Sequence, residues 1–253
     1  MRILIITQNE PFYLYDNLKF LIKKLPTQVK VVGCIVSDVS PFGKKETFIK
    51  KALKTFKIFG FRFFLFYSFK FIYCKLFKSS IESLLVSKNI TEIKIKGSLN
   101  SESSLKKISL FKPDLIVSIL GNQIFKKNLI TLPKYGSINL HTALLPKYRG
   151  LMPTFWVLKN NEKYTGVSVF FIDEGIDSGP ILVQKKIEIK NQTQAELIKL
   201  TKRIGMLAIV EAISLIMSGN YKLIENPNNQ MSYYSFPTST DVKEFLKSGK
   251  KFF

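Results

Sequence analysis

The chain has 253 residues, 46% of them hydrophobic, and a formal net charge of +21. That length predicts one α/β domain with its own core and a small C-terminal extension. Two scattered cysteines and a single histidine exclude a Cys/His zinc site and a disulfide framework, and so fit a reducing cytoplasm. Four arginines leave 35 lysines among the 39 basic residues, and Phe, Ile and Asn are abundant too, the bias that an AT-rich coding sequence yields. A solvated lysine surface and a specific polyanion site therefore both stay open. Either one draws anionic ligands in faster.

Residues 1–7 are too short an apolar stretch for a signal peptide, and Gln8-Asn9-Glu10 ends it. They read as a buried first strand. Residues 29–37 read as a second, with a short helix over 16–25 between them, a β-α-β unit. The turn after the first strand, Thr7-Gln-Asn-Glu-Pro11, lacks the glycine spacing of a nucleotide loop, which disfavours NAD or ATP.

Residues 44–78 hold ten Lys or Arg against one acidic residue, Glu46, and residues 56–77 hold nine Phe and two Tyr. The longest uncharged stretch there is 63–69, far short of the roughly 20 residues that span a bilayer. A helical excursion packed on its own domain with outward lysines is one reading. A basic aromatic helix lying in a membrane interface is the other. The excursion is taken to cover 44–88.

Further on, 114–120 reads as a strand, 123–132 as a helix, 133–136 as a turn and 137–140 as a strand. Residues 166–173 and 181–189 read as two more strands. A long helix follows over 193–218, with Glu196 three residues after Thr193 as in a capping box. The expected fold is α/β and Rossmann-like, a mostly parallel sheet with helices on both faces. A catalytic domain over 1–219 is expected, and an extension over 220–253 ending in a short basic helix.

Asn139 and His141 lie two apart on one strand, so both point to one side of the sheet, at the carboxyl end where open α/β sheets build sites. An amide donor beside an imidazole suits the oxygen of a tetrahedral intermediate. One such donor is worth about 3–4 kcal/mol. Asp177, in Asp173-Glu-Gly-Ile-Asp177-Ser-Gly179, could pair with the imidazolium or relay an amine proton. No Ser, Cys or Lys is spaced as a covalent nucleophile, so direct attack by a substrate amine fits better than an acyl-enzyme.

Residues 114–184 resemble the formyltransferase family that uses 10-formyltetrahydrofolate. The likeness rests on Asn139-Leu-His141, Leu144-Leu-Pro-Lys-Tyr-Arg-Gly150, Thr165-Gly-Val167 and Asp173-Glu-Gly-Ile-Asp-Ser-Gly179. It is weaker over 1–37 and 193–219. The resemblance implies catalytic Asn139, His141 and Asp177, with 10-formyltetrahydrofolate as cosubstrate and no metal. It implies a pterin slot between Leu120-Gly121-Asn122-Gln123-Ile124 and Asp173-Glu174-Gly175-Ile176-Asp177, read mainly by backbone groups. Thr142 stands where that family often has Pro or Gly, and Ala143 where Ser is common.

By elimination, a nucleotide-linked amino sugar is the expected acceptor. A phosphoribosylglycinamide acceptor would call for a Gly/Ser-rich loop where Gln8-Asn9-Glu10-Pro11 stands, with Glu10 repelling phosphate. A methionyl-tRNA acceptor would call for a C-terminal β-barrel larger than the 33 residues after Asn220, although Arg149 and the net charge keep tRNA in play. Hydrolysis of the folate and a membrane- or RNA-binding role on an inert scaffold are the remaining alternatives. A cytoplasmic location is expected, with peripheral contact at the inner membrane face through 44–78 as a candidate.

Overall fold

The computed structural model describes residues 1–39 and 47–253; the first three residues of the 44–78 segment lie outside the described residues. Strands β1 (Arg2–Gln8), β2 (Lys30–Ser37), β3 (Leu115–Ile119), β4 (Ser137–His141), β6 (Tyr164–Phe171) and β7 (Ile181–Glu188) form one sheet in the order β2-β1-β3-β4-β6-β7. The pairings among β2, β1, β3 and β4 are parallel, and β6 and β7 join antiparallel. β1 and β3 are apolar runs buried on both faces, as a parallel sheet covered by helices requires.

One face carries helices α1 (Leu14–Lys24), α3 (Ile81–Ser87) and α7 (Gln194–Ser218). Leu18, Leu21, Leu84, Leu85, Ile209 and Ile213 there pack on Ile3, Ile5, Val117 and Ile138. The other face carries α4 (Glu102–Ser109) and the one-turn α5 (Lys127–Ile130), with Ile108 and Leu129 against Leu4, Ile6 and Ile116. The start of α7 is fixed by the expected capping box. Thr193 Oγ1 accepts from the Glu196 backbone N–H, and Glu196 accepts from the Thr193 N–H at 2.8 Å.

The helix expected over 123–132 is reduced to α5. Residues 121–126 are instead irregular and held from the side, because Lys126 N donates to Asn100 Oδ1 and Gln123 Oε1 accepts from Leu99 N. Helices α4 and α6 (Pro153–Lys159) and a two-stranded pairing of β5 (Arg149–Gly150) with β8 (Tyr233–Tyr234) were not read from the sequence. Helix α2 (Phe48–Phe77) kinks at Gly60, whose φ of 80° and ψ of 176° suit only glycine.

A separate aromatic core joins the C-terminal residues to the domain. Phe245 on α8 (Ser239–Lys247) stacks on Phe155 at 4.9 Å and on Phe252 at 4.7 Å, and Phe252 meets Phe59 of α2 edge-on. Phe245 is fully buried. Phe245→Ala is expected to lower the unfolding free energy by about 3–5 kcal/mol in urea denaturation, whereas a loss under about 1 kcal/mol would make the extension a dispensable appendage.

Candidate active site

Alternation along β4 sends Ile138 and Leu140 into the α7 core and turns Asn139 and His141 to the opposite face. The third residue arrives by a less direct route. Phe171 pairs opposite Ile138 and Ser168 opposite His141, so the 172–180 loop leaves β6 beside the start of β4. It must run back about 10 Å, three residues of strand, to reach His141. The loop does so, and Asp177 Oδ2 lies 3.5 Å from His141 Nδ1, with both side chains largely buried.

Several bonds hold that path. Ile172 N donates to Ser137 O at 2.7 Å, and Asp173 Oδ1 accepts from Gly175 N and from Ser178 Oγ. At Gly179 a Cβ would collide with the Phe171 carbonyl oxygen, so only glycine lets the returning strand pass this close. Asp177 itself has φ 49°, a left-handed conformation that Asp tolerates better than most residues. Its Oδ2 accepts from Gly150 N at 2.9 Å. The Asn226 amide donates to the carbonyls of both Asp177 and Gly179.

His141 is gripped on its other edge. Nε2 lies 2.7 Å from Tyr148 O, and a carbonyl only accepts, so Nε2 carries a proton. Nδ1 then faces the Asp177 carboxylate at a distance longer than a tight hydrogen bond. Asn139 Oδ1 is buried without a hydrogen-bond partner among the described residues. Such an orphan is uncommon in a folded protein.

Arg149 has a different role from the polyanion contact entertained above. It is 3% exposed, and its guanidinium donates to Asn228 Oδ1, Asn226 O and Asn226 Oδ1 at 2.8–2.9 Å. Burial lowers its pKa, opposed by the charges of Asp173 and Asp177. It therefore fixes the segment that clamps the Asp177 loop.

The two expected pterin loops divide into braces and open positions. Asn122 donates to Asp38 O and Gln123 to Gly97 O, so both side chains anchor their own loop. Gly121 is packed on Ser118 Oγ, and the Gln8 amide donates to Leu120 O. Asp173 is spent inside its turn. Ile124, Glu174 and Ile176 expose their side chains, and the backbone at Gly175 is exposed.

Sequence reasoning missed the Tyr148 carbonyl, the Gly150 N–H, Asn226, and a cavity beside the site. The cavity, about 220 Å³, is lined by Leu120, Thr142, Met152, Pro153, Thr154, Gln194, Ile198, Thr201 and Lys202. Its walls are mainly apolar. Gln194 Nε2 is buried there and unpartnered among the described residues. Burial pushes the Lys202 ammonium below the usual lysine range, with Glu10 pulling the other way. Glu10 itself accepts from the backbone N–H groups of Phe12, Tyr13 and Leu14, filling the start of α1. A thiol nucleophile is absent in practice at Cys34, where burial and then Glu92 push the pKa up to about 12.

The chain belongs to the formyl transferase family, whose model matches residues 77–213. Among individual relatives, the methionyl-tRNA formyltransferase of Thermodesulfovibrio yellowstonii is 40% identical over 122 residues, 48% of this chain and 40% of that one. The chain spans about half the length of the curated relatives it matches. The N-formyltransferase of Helicobacter canadensis, solved with folinic acid and dTDP-3-aminofucose, shares the fold with a TM-score of 0.60 at 19% identity, covering 98% of this chain and 80% of that one. Phosphoribosylglycinamide formyltransferase of Bacillus halodurans gives 0.59 at 17% identity, with 86% and 96% covered.

Arg149→Met is expected to leave the sheet folded but to speed amide hydrogen exchange across 172–180 and 224–230 at least tenfold. Unchanged protection of those two segments would remove Arg149 from the frame of the site.

Proposed function

We propose that this protein transfers the formyl group of 10-formyltetrahydrofolate to a primary amine, with Asn139, His141 and Asp177 as the reacting constellation. The observation that carries this reading is the His141–Asp177 contact two strand positions from Asn139, whose side chain points to the same side of β4. The Asn139 amide N–H and an imidazole N–H hold the formyl oxygen as its carbon becomes tetrahedral under attack by the amine. Asp177 stabilises the charged imidazole and passes the proton lost by the amine toward the folate nitrogen, whose bond to carbon breaks. The formyl group ends on the amine and tetrahydrofolate leaves. Nδ1 is the nitrogen placed for the oxygen, since its 3.5 Å contact is looser than the 2.7 Å bond at Nε2. Backbone groups of 120–124 and 173–177, flanked by Ile124 and Ile176, make the pterin slot. Residues 1–219 carry the reaction and 220–253 brace it.

The acceptor assigned by this reading is a nucleotide-linked amino sugar. Its support is the cavity of about 220 Å³, which Leu120 and Thr142, the residue after His141, help to line. Gln194 and Lys202 offer it an amide donor and an ammonium among apolar walls, a match for a sugar bearing oxygen substituents and an apolar face. Glu10 occupies the α1 N-terminus, where a phosphoribosyl acceptor would need its phosphate to sit.

His141→Ala and Asp177→Asn are each expected to slow formyl transfer at least about a hundredfold while circular dichroism stays unchanged. Near-normal turnover in either variant would end the assignment. For the acceptor, tetrahydrofolate release is measured with amino-sugar nucleotides, initiator tRNA, glycinamide ribonucleotide and water. Lys202→Met should raise KM for the preferred sugar nucleotide about tenfold with little change in kcat, the signature of lost uniform binding. Turnover only with tRNA or water would replace the sugar acceptor and leave the chemistry standing.

A further inference from the structure

Helix α2 carries more apolar surface than the protein covers. After the kink at Gly60, one face of the helix packs inward. Phe63 lies against Tyr67 with ring centres 4.4 Å apart and meets Phe252 at 4.9 Å, and Cys74 is buried. Lys70 is drawn into the same side, its ammonium 4.4 Å from the Tyr13 ring centre and 3.0 Å from the Tyr13 hydroxyl. An ordinary surface helix has a single apolar stripe, and its opposite face is polar.

Here the opposite face is apolar as well. Phe61, Leu65, Phe69, Ile72 and Leu76 recur at steps of 4, 4, 3 and 4, and each is between 41% and 68% exposed. At about 100° per residue this stripe lies roughly 170° around the helix from Phe63, Tyr67 and Cys74. Arg62 and Lys75 fall on its two shoulders, both exposed and without a partner among the described residues. The arm before the kink repeats the mixture, with Phe48, Ile49 and Leu53 exposed beside Lys50 and Lys57. From 48 to 78 there are eight Lys or Arg and no Asp or Glu. Among the described residues, no helix is long and apolar enough to cross a membrane.

We infer that the outward face of α2 docks the protein on the surface of an anionic lipid bilayer, its apolar stripe sinking into the acyl boundary and its flanking cations meeting lipid phosphates. Apolar burial and electrostatic attraction act together in that geometry, and neither alone gives firm binding. The charge argues against a second copy as occupant. Two such faces would press Lys50, Lys57, Arg62 and Lys75 against their own equivalents, in a chain that already carries +21. The stripe is also separate from Asn139, His141 and Asp177, so the inference stands or falls independently of the proposed reaction.

Vesicle co-sedimentation tests it, with the full chain, phosphatidylcholine vesicles, and phosphatidylcholine vesicles containing one-third phosphatidylglycerol. The expected result is at least tenfold tighter binding to the anionic vesicles. Phe61→Ser with Phe69→Ser should weaken that binding at least tenfold, and Arg62→Glu with Lys75→Glu should do the same. All four positions are exposed, and an unchanged melting temperature establishes that both variants remain folded. Failure of the wild type to bind, or binding that the serine variant keeps, overturns the inference, the latter because lysine attraction alone would then explain it. A dimer in sedimentation velocity that the serine variant abolishes, with no vesicle binding, would assign the stripe to a second copy.

Discussion

The arrangement turns on a loop that runs against the direction of the strand it serves. Because β6 is antiparallel to β4, the chain leaves β6 at the wrong end of β4 for chemistry at His141. The 172–180 loop must cross the sheet face to deliver a carboxylate to that imidazole. A glycine where the loop grazes the Phe171 carbonyl, a left-handed aspartate and a side-chain turn at Asp173 make the crossing. The opposite face of β4 is meanwhile pinned by the α7 core, which leaves Asn139 and His141 a single direction. The His141–Asp177 contact thus forms where neither side chain is free to turn away, the preorganisation that the proposed stabilisation of a developing oxyanion requires.

Much of this was legible in the sequence. The first β-α-β unit, β3, β4, the two strands around Asp177 and the capped start of α7 follow from runs of Ile and Val and from Thr193 with Glu196. The less visible parts lack periodicity. α6 is seven residues with Thr154 to Leu158 buried in succession, so no polar face marks it as a helix. β5 and β8 are two residues each and pair across 84 positions, with no local pattern to announce them. α4 is short and serine-rich, and Lys127–Ile130 is all that side contacts leave of a longer apolar run.

At the site, side chains were readable and backbone partners were not. Asn139, His141 and Asp177 belong to residue types with obvious chemistry. The Tyr148 carbonyl that sets the imidazole tautomer, and the Gly150 N–H that holds the carboxylate, are groups every residue possesses. Arg149 shows the converse error. Its charge suggested a partner outside the protein, yet the fold buries it among asparagine amides. Composition reports that a cation exists and says nothing of which way it faces. The same holds for α2, where the sequence left open a helix packed on its own domain and one facing a membrane, and the fold gives the helix both a packed and an exposed aromatic face.

The clasp of Arg149 on Asn226 and Asn228 ties the far end of the chain to the carboxylate beside His141. Substitutions along 226–228 therefore bear on the placement of Asp177 from some fifty positions away in sequence, although none of those residues carries an ionisable side chain. Any chimera that exchanges the segment following α7 with that of a relative would transplant part of the support of Asp177 along with it.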